Sequence, residues 1–323
     1  MSTRRGQGLA FGIGEESTWG TAVARDTWQR GVSSSLQVKV RKKPRPDLYG
    51  ASVGTRIKHY TEAQDAGGTV EPLFGFEGCG KWIKHALWGS PTTTGPSGGI
   101  YTHTYVLGAE PPAGLTIEEI RGIDSSGTNA SRVYEGCMIN SATWELSAGG
   151  ILSFAADIIA ETAAAEGSAG TPTFTTNEIE VLHSGAAALS WNSASYVDIR
   201  SVKITLNNNL GRRNRLGSTL TSKPAPTDFR EVMIEFEIDT QDSTLLAGLT
   251  ADTEANASIQ ITGTGTRSMT FTVHKAYVDD VSDPISGPDL IVQKVKMIGQ
   301  WSASNALGFA VAVANTQSSA IAA

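Results

Sequence analysis

The five histidines are the first candidates for chemistry, because histidine is the commonest metal ligand and the usual base near neutral pH. They are His59, His85, His103, His183 and His274. None of them is spaced from another like the ligands of a zinc site, and neither His103 nor His274 has a cysteine or aspartate at a suggestive spacing. His85 falls in a predicted helix, where a surface or boundary role is expected. The histidines therefore predict neither a metal site nor a catalytic base.

Three adjacent carboxylate pairs are the next candidates: Glu15-Glu16, Glu118-Glu119 and Asp279-Asp280. Neighbours on a strand point to opposite faces, so such pairs do not form a shared acid/base site, and we expect solvated turns or strand ends. The carboxylates could still act collectively if some of them line a channel. The sequence also lacks a phosphate-binding loop and a nucleophile elbow, and Gly12 and Gly14 lack the third glycine of a dinucleotide site. We expect no enzymatic activity and no cofactor.

Basic residues cluster in two loops. The first cluster is Arg41, Lys42, Lys43 and Arg45, and the second is Arg212, Arg213 and Arg215. A formal net charge of −6, spread evenly along the chain, argues against a dedicated nucleic-acid binder. The clusters are then either solvated loop charges or contacts to an acidic surface on a neighbouring subunit, where complementary charge would set the register.

The composition favours short strands joined by turns. The chain has 35 glycines with many threonines, serines and valines, and 40% of its residues are hydrophobic, so it is expected to fold as a mainly β protein. Two cysteines, Cys79 and Cys137, make no disulfide framework and are expected to be partly buried free thiols. No stretch reaches the length of a membrane helix, and the N-terminal apolar run is too short for a secretory signal, so cytoplasmic synthesis is expected.

The two halves of the chain repeat the same order of elements. An alternating strand at 36–40 runs into the first basic loop, and a second one at 202–206 runs into the other. Strand-then-helix patterns follow at 70–87 and 232–249, with the helix face marked by Trp82, Ile83 and Leu87. Short alternating strands come next, at 115–117 and 269–273. Each half then closes with a predicted hairpin, 139–146 with 151–158 and 294–301 with 306–313.

A duplication explains this order, and chance likeness between two β-rich halves is the alternative. The duplication predicts five segments: an N-terminal arm at 1–30, a first repeat at 31–165, a linker at 166–171, a second repeat at 172–316 and a C-terminal tail at 317–323. Alternation leaves one face of each sheet packed and the other wet. Uncovered strand edges in such repeats invite pairing with another chain.

The run at 12–21 carries a Gly-x-Glu-x-x-Trp-Gly-Thr pattern that resembles the opening of a large family of phage tail tube proteins. The stretches 65–70, 134–140 and 206–210 also resemble that family, and the similarity spans residues 10–315. The resemblance implies tube-type β-sandwich or split-barrel domains with a short flanking α-helix, and the duplication predicts two such repeats in tandem. The resemblance also implies a structural virion protein whose rings stack into a hollow conduit for DNA ejection.

The resemblance further implies which segments make contacts between rings: loops at 42–55 and 211–223 and an arm at 1–27. The candidate inter-ring residues are Glu15, Trp19, Arg41, Lys42, Lys43, Arg45, Arg212, Arg213 and Arg215. The implied partners are further copies of the chain, a tape-measure protein, a tail terminator, baseplate or tip proteins, and DNA that passes without specific binding, with no membrane. Two repeats per chain favour trimeric, pseudo-hexameric rings, and hexamers of one larger domain are the alternative.

Two other classes of protein compete with this interpretation. The tube subunit of a contractile secretion or bacteriocin apparatus shares the ring logic, but such subunits are about half this length. A hydrolase or carbohydrate-binding β-sandwich needs a carboxylate pair or an aromatic platform, and the seven tryptophans are scattered along the chain. The tail tube interpretation predicts assembly in the host cytoplasm into the virion tail.

Overall fold

A computed structural model describes residues 8–44, 59–123, 129–174, 182–183, 187–196, 198–240, 244–284, 290–302 and 308–320. The elements of the first half are β1 (Ala10–Glu15), β2 (Thr27–Ser34), β3 (Gln37–Pro44), β4 (His59–Pro72), α1 (Gly80–Leu87), β5 (Thr92–Ser97), β6 (Ile100–Val106), β7 (Leu115–Ile123), β8 (Asn129–Ser147), β9 (Ser153–Ala160), β10 (Thr162–Ala163) and β11 (Gly167–Ser168). Those of the second half are β12 (Ala187–Trp191), β13 (Ala194–Tyr196), β14 (Ile199–Asn207), β15 (Leu210–Arg213), β16 (Ser222–Pro226), β17 (Glu231–Asp239), α2 (Thr244–Thr250), β18 (Glu254–Thr262), β19 (Ser268–Ser282), β20 (Val292–Gly299) and β21 (Phe309–Asn315). The predicted mainly β fold is confirmed.

One sheet of eight antiparallel strands runs through both halves of the chain. Its order is β3-β4-β9-β8-β14-β17-β20-β19. Buried and accessible residues alternate along its strands, as in β17, where Val232, Ile234 and Phe236 are buried. This period of two gives the sheet one apolar face and one polar face.

A second layer covers the apolar face. It consists of two groups of strands, β2-β1-β7-β8 and β13-β12-β18-β19-β21-β6-β5, and the second group combines strands from both halves of the chain. The long strands β8 and β19 belong to both layers, and each has a register shift where it passes between them. One continuous hydrophobic core fills the space between the layers and includes Trp82, Trp144 and Trp191.

The helix α1 packs its predicted face into this core, with Trp82, Ile83 and Leu87 fully buried. It ends at Trp88, which adopts a left-handed conformation with φ 64°. The carbonyls of Ala86 and Leu87 accept hydrogen bonds at 3.2 Å from Arg230, a residue of the other half. The end of the first-half helix is thus stabilised by the second half.

The structure bears on three expectations about the chain's segments. The predicted hairpin of 294–301 with 306–313 is wrong, because β20 pairs with β17 and β19, whereas β21 pairs with β19 and β6. The described part of the predicted arm is largely folded, since β1 lies between β2 and β7 with Phe11 and Ile13 fully buried. In the predicted linker, β11 pairs with β8. The predicted repeat boundaries remain predictions.

Candidate assembly surface

The polar face of the eight-stranded sheet, here called the open face, carries charged residues in cross-strand register. One row crosses five strands and consists of Glu145, Lys203, Glu235, Lys296 and Asp280. The charge alternates at every step. Lys203 lies 3.5 Å from Glu235, and the neighbouring row contains a 2.8 Å ion pair between Lys294 and Glu237.

This charged row does little for stability, because exposed ion pairs are screened by water and cost side-chain entropy. The ammonium of Lys296 lies 2.6 Å from Asp279, and this hydrogen bond raises the pKa of Lys296. The row therefore fixes the electrostatic character of the surface more than it holds the fold together. The same residues line a shallow groove across the open face.

Carboxylates outnumber cations on this part of the open face. On β8, β14, β17, β20 and β19 the acidic side chains are Glu145, Glu231, Glu235, Glu237, Asp239, Asp279 and Asp280, and the basic ones are Arg200, Lys203, Lys294 and Lys296. Their uncharged neighbours include Thr143, Ser201 and Thr205. Such a surface repels phosphate groups and offers them no cluster of unpaired cations.

The second predicted basic cluster lies on and beside the β15–β16 hairpin. Arg212 donates hydrogen bonds to the carbonyl oxygen of Ala66 at 2.6 Å and to Thr221 Oγ1 at 3.3 Å. Although much of the residue is exposed, burial of its guanidinium lowers the pKa of Arg212. This arginine thus ties the hairpin to β4 of the same chain. Arg213 and Arg215 are exposed beside the fully exposed Leu216.

The first predicted basic cluster lies on β3, at one edge of the eight-stranded sheet. Arg41 forms a 2.8 Å ion pair with Asp65, and Lys43 pairs with Glu62, which raises the pKa of Lys43. Lys42 is exposed. Arg45 lies outside the described residues. These cations therefore stand at a sheet edge, where a further strand could add.

The two candidates from the N-terminal signature make contacts within the chain. Glu15 lies 2.8 Å from Lys84 and 2.9 Å from His85. Burial alone would raise the pKa of the Glu15 carboxyl, but hydrogen bonds from His85 and Lys84 outweigh burial and lower it to about 2. Trp19 packs against Gly136, where a Cβ atom would come within 2.9 Å of the indole ring. Their inter-ring role remains a prediction.

Two of the carboxylate pairs were wrongly expected to be solvated. Glu16, Glu118 and Glu119 are buried, with 6%, 1% and 3% of their surfaces exposed. Glu118 pairs with Arg25, and Glu119 lies 2.8 Å from Arg121. Glu16 accepts hydrogen bonds at 2.9 Å from Thr116 Oγ1 and from the backbone amides of Gly20 and Gly136, so the N-terminal signature folds around a buried carboxylate. Asp279 and Asp280 are exposed, as expected.

Both thiols and two of the histidines, His85 and His103, lie inside the fold. The surface or boundary role expected for His85 is wrong, because only 3% of its surface is exposed. Both cysteines are fully buried, beyond the partial burial expected, and burial raises the pKa of Cys79 to about 12 and that of Cys137 well above its usual range. His103 Nδ1 lies 2.9 Å from the Thr93 hydroxyl. Among the described residues, no group of three or more histidine, cysteine or acidic side chains is arranged to hold a metal ion.

The decisive comparison is with protein families. The model of the phage tail tube protein family matches residues 6–299, which is most of the chain. The chain belongs to the phage tail tube protein family. Membership makes this tail tube chain a structural component of the virion tail. No curated protein sequence matches it. Within the part of the chain that the structure describes, no helix is long and apolar enough to cross a membrane.

The alternating charge row of the tail tube chain was missed at the level of sequence. Its signal was nevertheless present: β17 contains Glu235 and Glu237 two residues apart, and β20 contains Lys294 and Lys296 with the same spacing. Two complementary patterns of period two predict cross-strand ion pairs on one face. What the pattern alone does not give is which strands become neighbours.

Proposed function

We propose that three copies of this chain close a ring, that rings stack into the tail tube, and that the open face lines the channel. The observation that carries this proposal is the strand order of the eight-stranded sheet. Its first four strands are β3-β4-β9-β8 and its last four are β14-β17-β20-β19. In both groups the strands that come first, second, fourth and third along the chain follow one another across the sheet. Each group also has a helix after its second strand. This supports a duplicated tube unit.

The count of strands supports the trimer. If each chain supplies eight strands, three chains supply about 24, and at about 4.8 Å per strand a closed sheet has a circumference above 100 Å. Closure pairs the outer strands and removes the sheet edges. A strand tilt of about 40° widens this closed sheet to a diameter of about 50 Å, and the second layer with its loops on the outside brings the tube to a width on the order of 100 Å.

The chemistry of the open face supports a conduit for DNA. A lumen with an excess of carboxylates, small polar groups and cations that are already paired repels the phosphate backbone, so DNA slides through without being held. The proposal places assembly in the host cytoplasm. Its further partners are a tape-measure protein in the lumen before DNA enters, a tail terminator at one end and baseplate or tip proteins at the other.

Negative-stain electron microscopy of the purified chain, before and after concentration, tests this function. We expect rings or tubes about 100 Å wide whose class averages contain three chains with six similar lobes. Six chains per ring would refute the trimer and favour the hexamer. Monomers at every concentration, even after addition of preformed tail tips as an initiator, would contradict self-assembly into a tube.

A further inference from the structure

The two four-strand groups are joined inside the chain by a seam between β8 and β14. Seven residue pairs cross it, from Ser141 opposite Asn207 to Ser147 opposite Ser201. On its apolar face Ala142 lies opposite Leu206, and both are fully buried. The amide of Asn208 donates to the carbonyl of Asn140 at 2.8 Å. In this internal seam the last strand of one group, β8, pairs with the first strand of the next, β14.

The two outer edges of the sheet lack such a neighbour among the described residues. At one edge, β3 pairs only with β4. At the other, the C-terminal part of β19 pairs with β20 on one side, and on its other side no described strand pairs with it beyond the point where β18 begins. Each edge has a valine that is only half-buried against the core, Val38 on β3 and Val281 on β19.

The edges correspond to the internal seam residue by residue. The register of β8 shifts at Asn140, and that of β19 shifts at Asp279. Both side chains contact the adjacent strand. Asn140 donates a hydrogen bond to Asp157 at 3.0 Å, and Asp279 accepts one from Lys296 at 2.6 Å. Counting from these positions through the strand pairings, Asp280 corresponds to Ser141 and Val281 to Ala142. On the other edge, Val38 corresponds to Leu206 and Lys39 to Asn207.

We propose that β19 of one chain pairs antiparallel with β3 of the next, in the register that places Asp280 opposite Lys39 and Val281 opposite Val38. This inference rests on the proposed tube function and names the contact that closes the ring. The pairing buries the two half-exposed valines, as Ala142 and Leu206 are buried at the internal seam. It also continues the alternating charge row, because Lys39 lies opposite Asp65 within its own chain.

The charges of the two edges select this pairing over the symmetrical alternatives. The β3 edge is basic, with Lys39, Arg41, Lys42 and Lys43, and the β19 edge is acidic, with Asp279, Asp280 and Asp283. Two β3 edges or two β19 edges would bring like charges together, which is unfavourable across strands. Head-to-tail pairing is favoured instead, and repeated head-to-tail contacts close into a ring.

A disulfide tests the register directly. At the internal seam the backbone amide of Asn208 donates to the carbonyl of Asn140, so the next pair, Asn207 and Ser141, is of the close, non-hydrogen-bonded kind. Lys39 and Asp280 take that position, with a Cα separation of about 4.5 Å that a disulfide spans. The variant Lys39→Cys/Asp280→Cys is expected to give covalent trimers on mild oxidation. Native Cys79 and Cys137 are buried and will not interfere.

The matched control is Lys39→Cys/Lys294→Cys, which places the second thiol on the open face of β20, one strand in from the edge. It is expected to remain monomeric on a denaturing, non-reducing gel. Rings seen by microscopy without a disulfide in the first variant would overturn the seam and leave the tube function intact. Absence of rings in the wild type would count against the tube function. In that case, oxidation of the Lys39→Cys/Asp280→Cys variant in concentrated solution would still show whether the two edges meet.

Charge reversal provides a second measurement that needs no oxidation. Lys39→Glu and Asp280→Lys should each raise the concentration needed for assembly by about two- to fivefold, because like charges then face each other across the seam. The double variant should recover part of that loss. Each single variant already includes the effect of its substitution on the neighbour in its own chain, Asp65 for Lys39 and Lys296 for Asp280. Recovery of assembly in the double variant therefore measures the contact between chains. Additive losses would refute the pairing.

Discussion

The two faces of the eight-stranded sheet are made by the same strands and have different roles. On β8, Trp144 points into the core and contacts Phe154, Phe271 and Phe309, with ring centroids 5.3–6.2 Å apart. The next residue, Glu145, is exposed on the open face. The difference teaches that the apolar face holds the chain together, whereas the exposed charges of the open face contribute little to stability and are free to serve another role.

The largest effect is expected on the apolar face. Trp144→Ala removes a side chain that is 1% exposed and leaves a cavity among three aromatic rings, so the free energy of unfolding should fall by about 3–5 kcal/mol. Denaturant titration measures this loss. The neighbouring Thr143→Ala on the open face is the control, and an equal loss in both variants would contradict the contrast between faces.

A smaller effect is expected where the second half meets α1. Arg230 donates to Ala86, Leu87, Gly108 and Asn208, and stacks 4.1 Å from the Trp88 ring; burial lowers its pKa to about 10. Arg230→Met leaves the carbonyl of Gly108 and the side-chain oxygen of Asn208 without this donor and should cost about 2 kcal/mol of stability.

Hydrogen exchange should show the loss as faster exchange in α1. The control is Arg213→Met, which changes an exposed arginine on the hairpin. Unchanged exchange in α1 after Arg230→Met would show that the helix end needs no support from the second half.

The ion pair of Glu15 should make stability depend on pH. Because its pKa is lowered to about 2, this carboxylate stabilises the fold at neutral pH, and the contribution is lost as pH falls from its ordinary value near 4.5 towards 2. The wild type should therefore exceed Glu15→Gln by on the order of 1 kcal/mol at pH 7, after allowance for solvent screening, and converge with it near pH 2. Parallel pH curves would contradict this sign.

The smallest effect on stability is expected on the open face. Glu235→Lys should change the free energy of unfolding by no more than about 0.5 kcal/mol, because the side chain is exposed. Its effect should appear in function instead, as retention of DNA by assembled tubes at low salt that disappears as salt is raised. Glu235→Gln is the milder control. Equal passage of DNA through all three tubes would argue against an electrostatic lumen.

Local patterns in the sequence predicted local structure well. Alternation at 36–40 and 202–206 falls in or next to β3 and β14, and the face of α1 was identified from Trp82, Ile83 and Leu87. The burial of Glu118 was missed because its partner, Arg25, lies far away in the sequence. The partner of β21 was missed for the same reason, since it is β6 of the first half. Side-chain periodicity reports which face is buried and carries no information about which distant strand will pair.

The seam between β8 and β14 changes the entropy of assembly. In the proposed ring, three of the six junctions lie within single chains and need no encounter between molecules. Only three chains therefore lose translational freedom on assembly, whereas a ring of six single-unit chains would immobilise six. The two kinds of junction are also free to diverge. At the position of Ser141 and Asn207 the internal junction is neutral, whereas the outer one sets Asp280 against Lys39, so at this position salt would weaken only the junctions between chains.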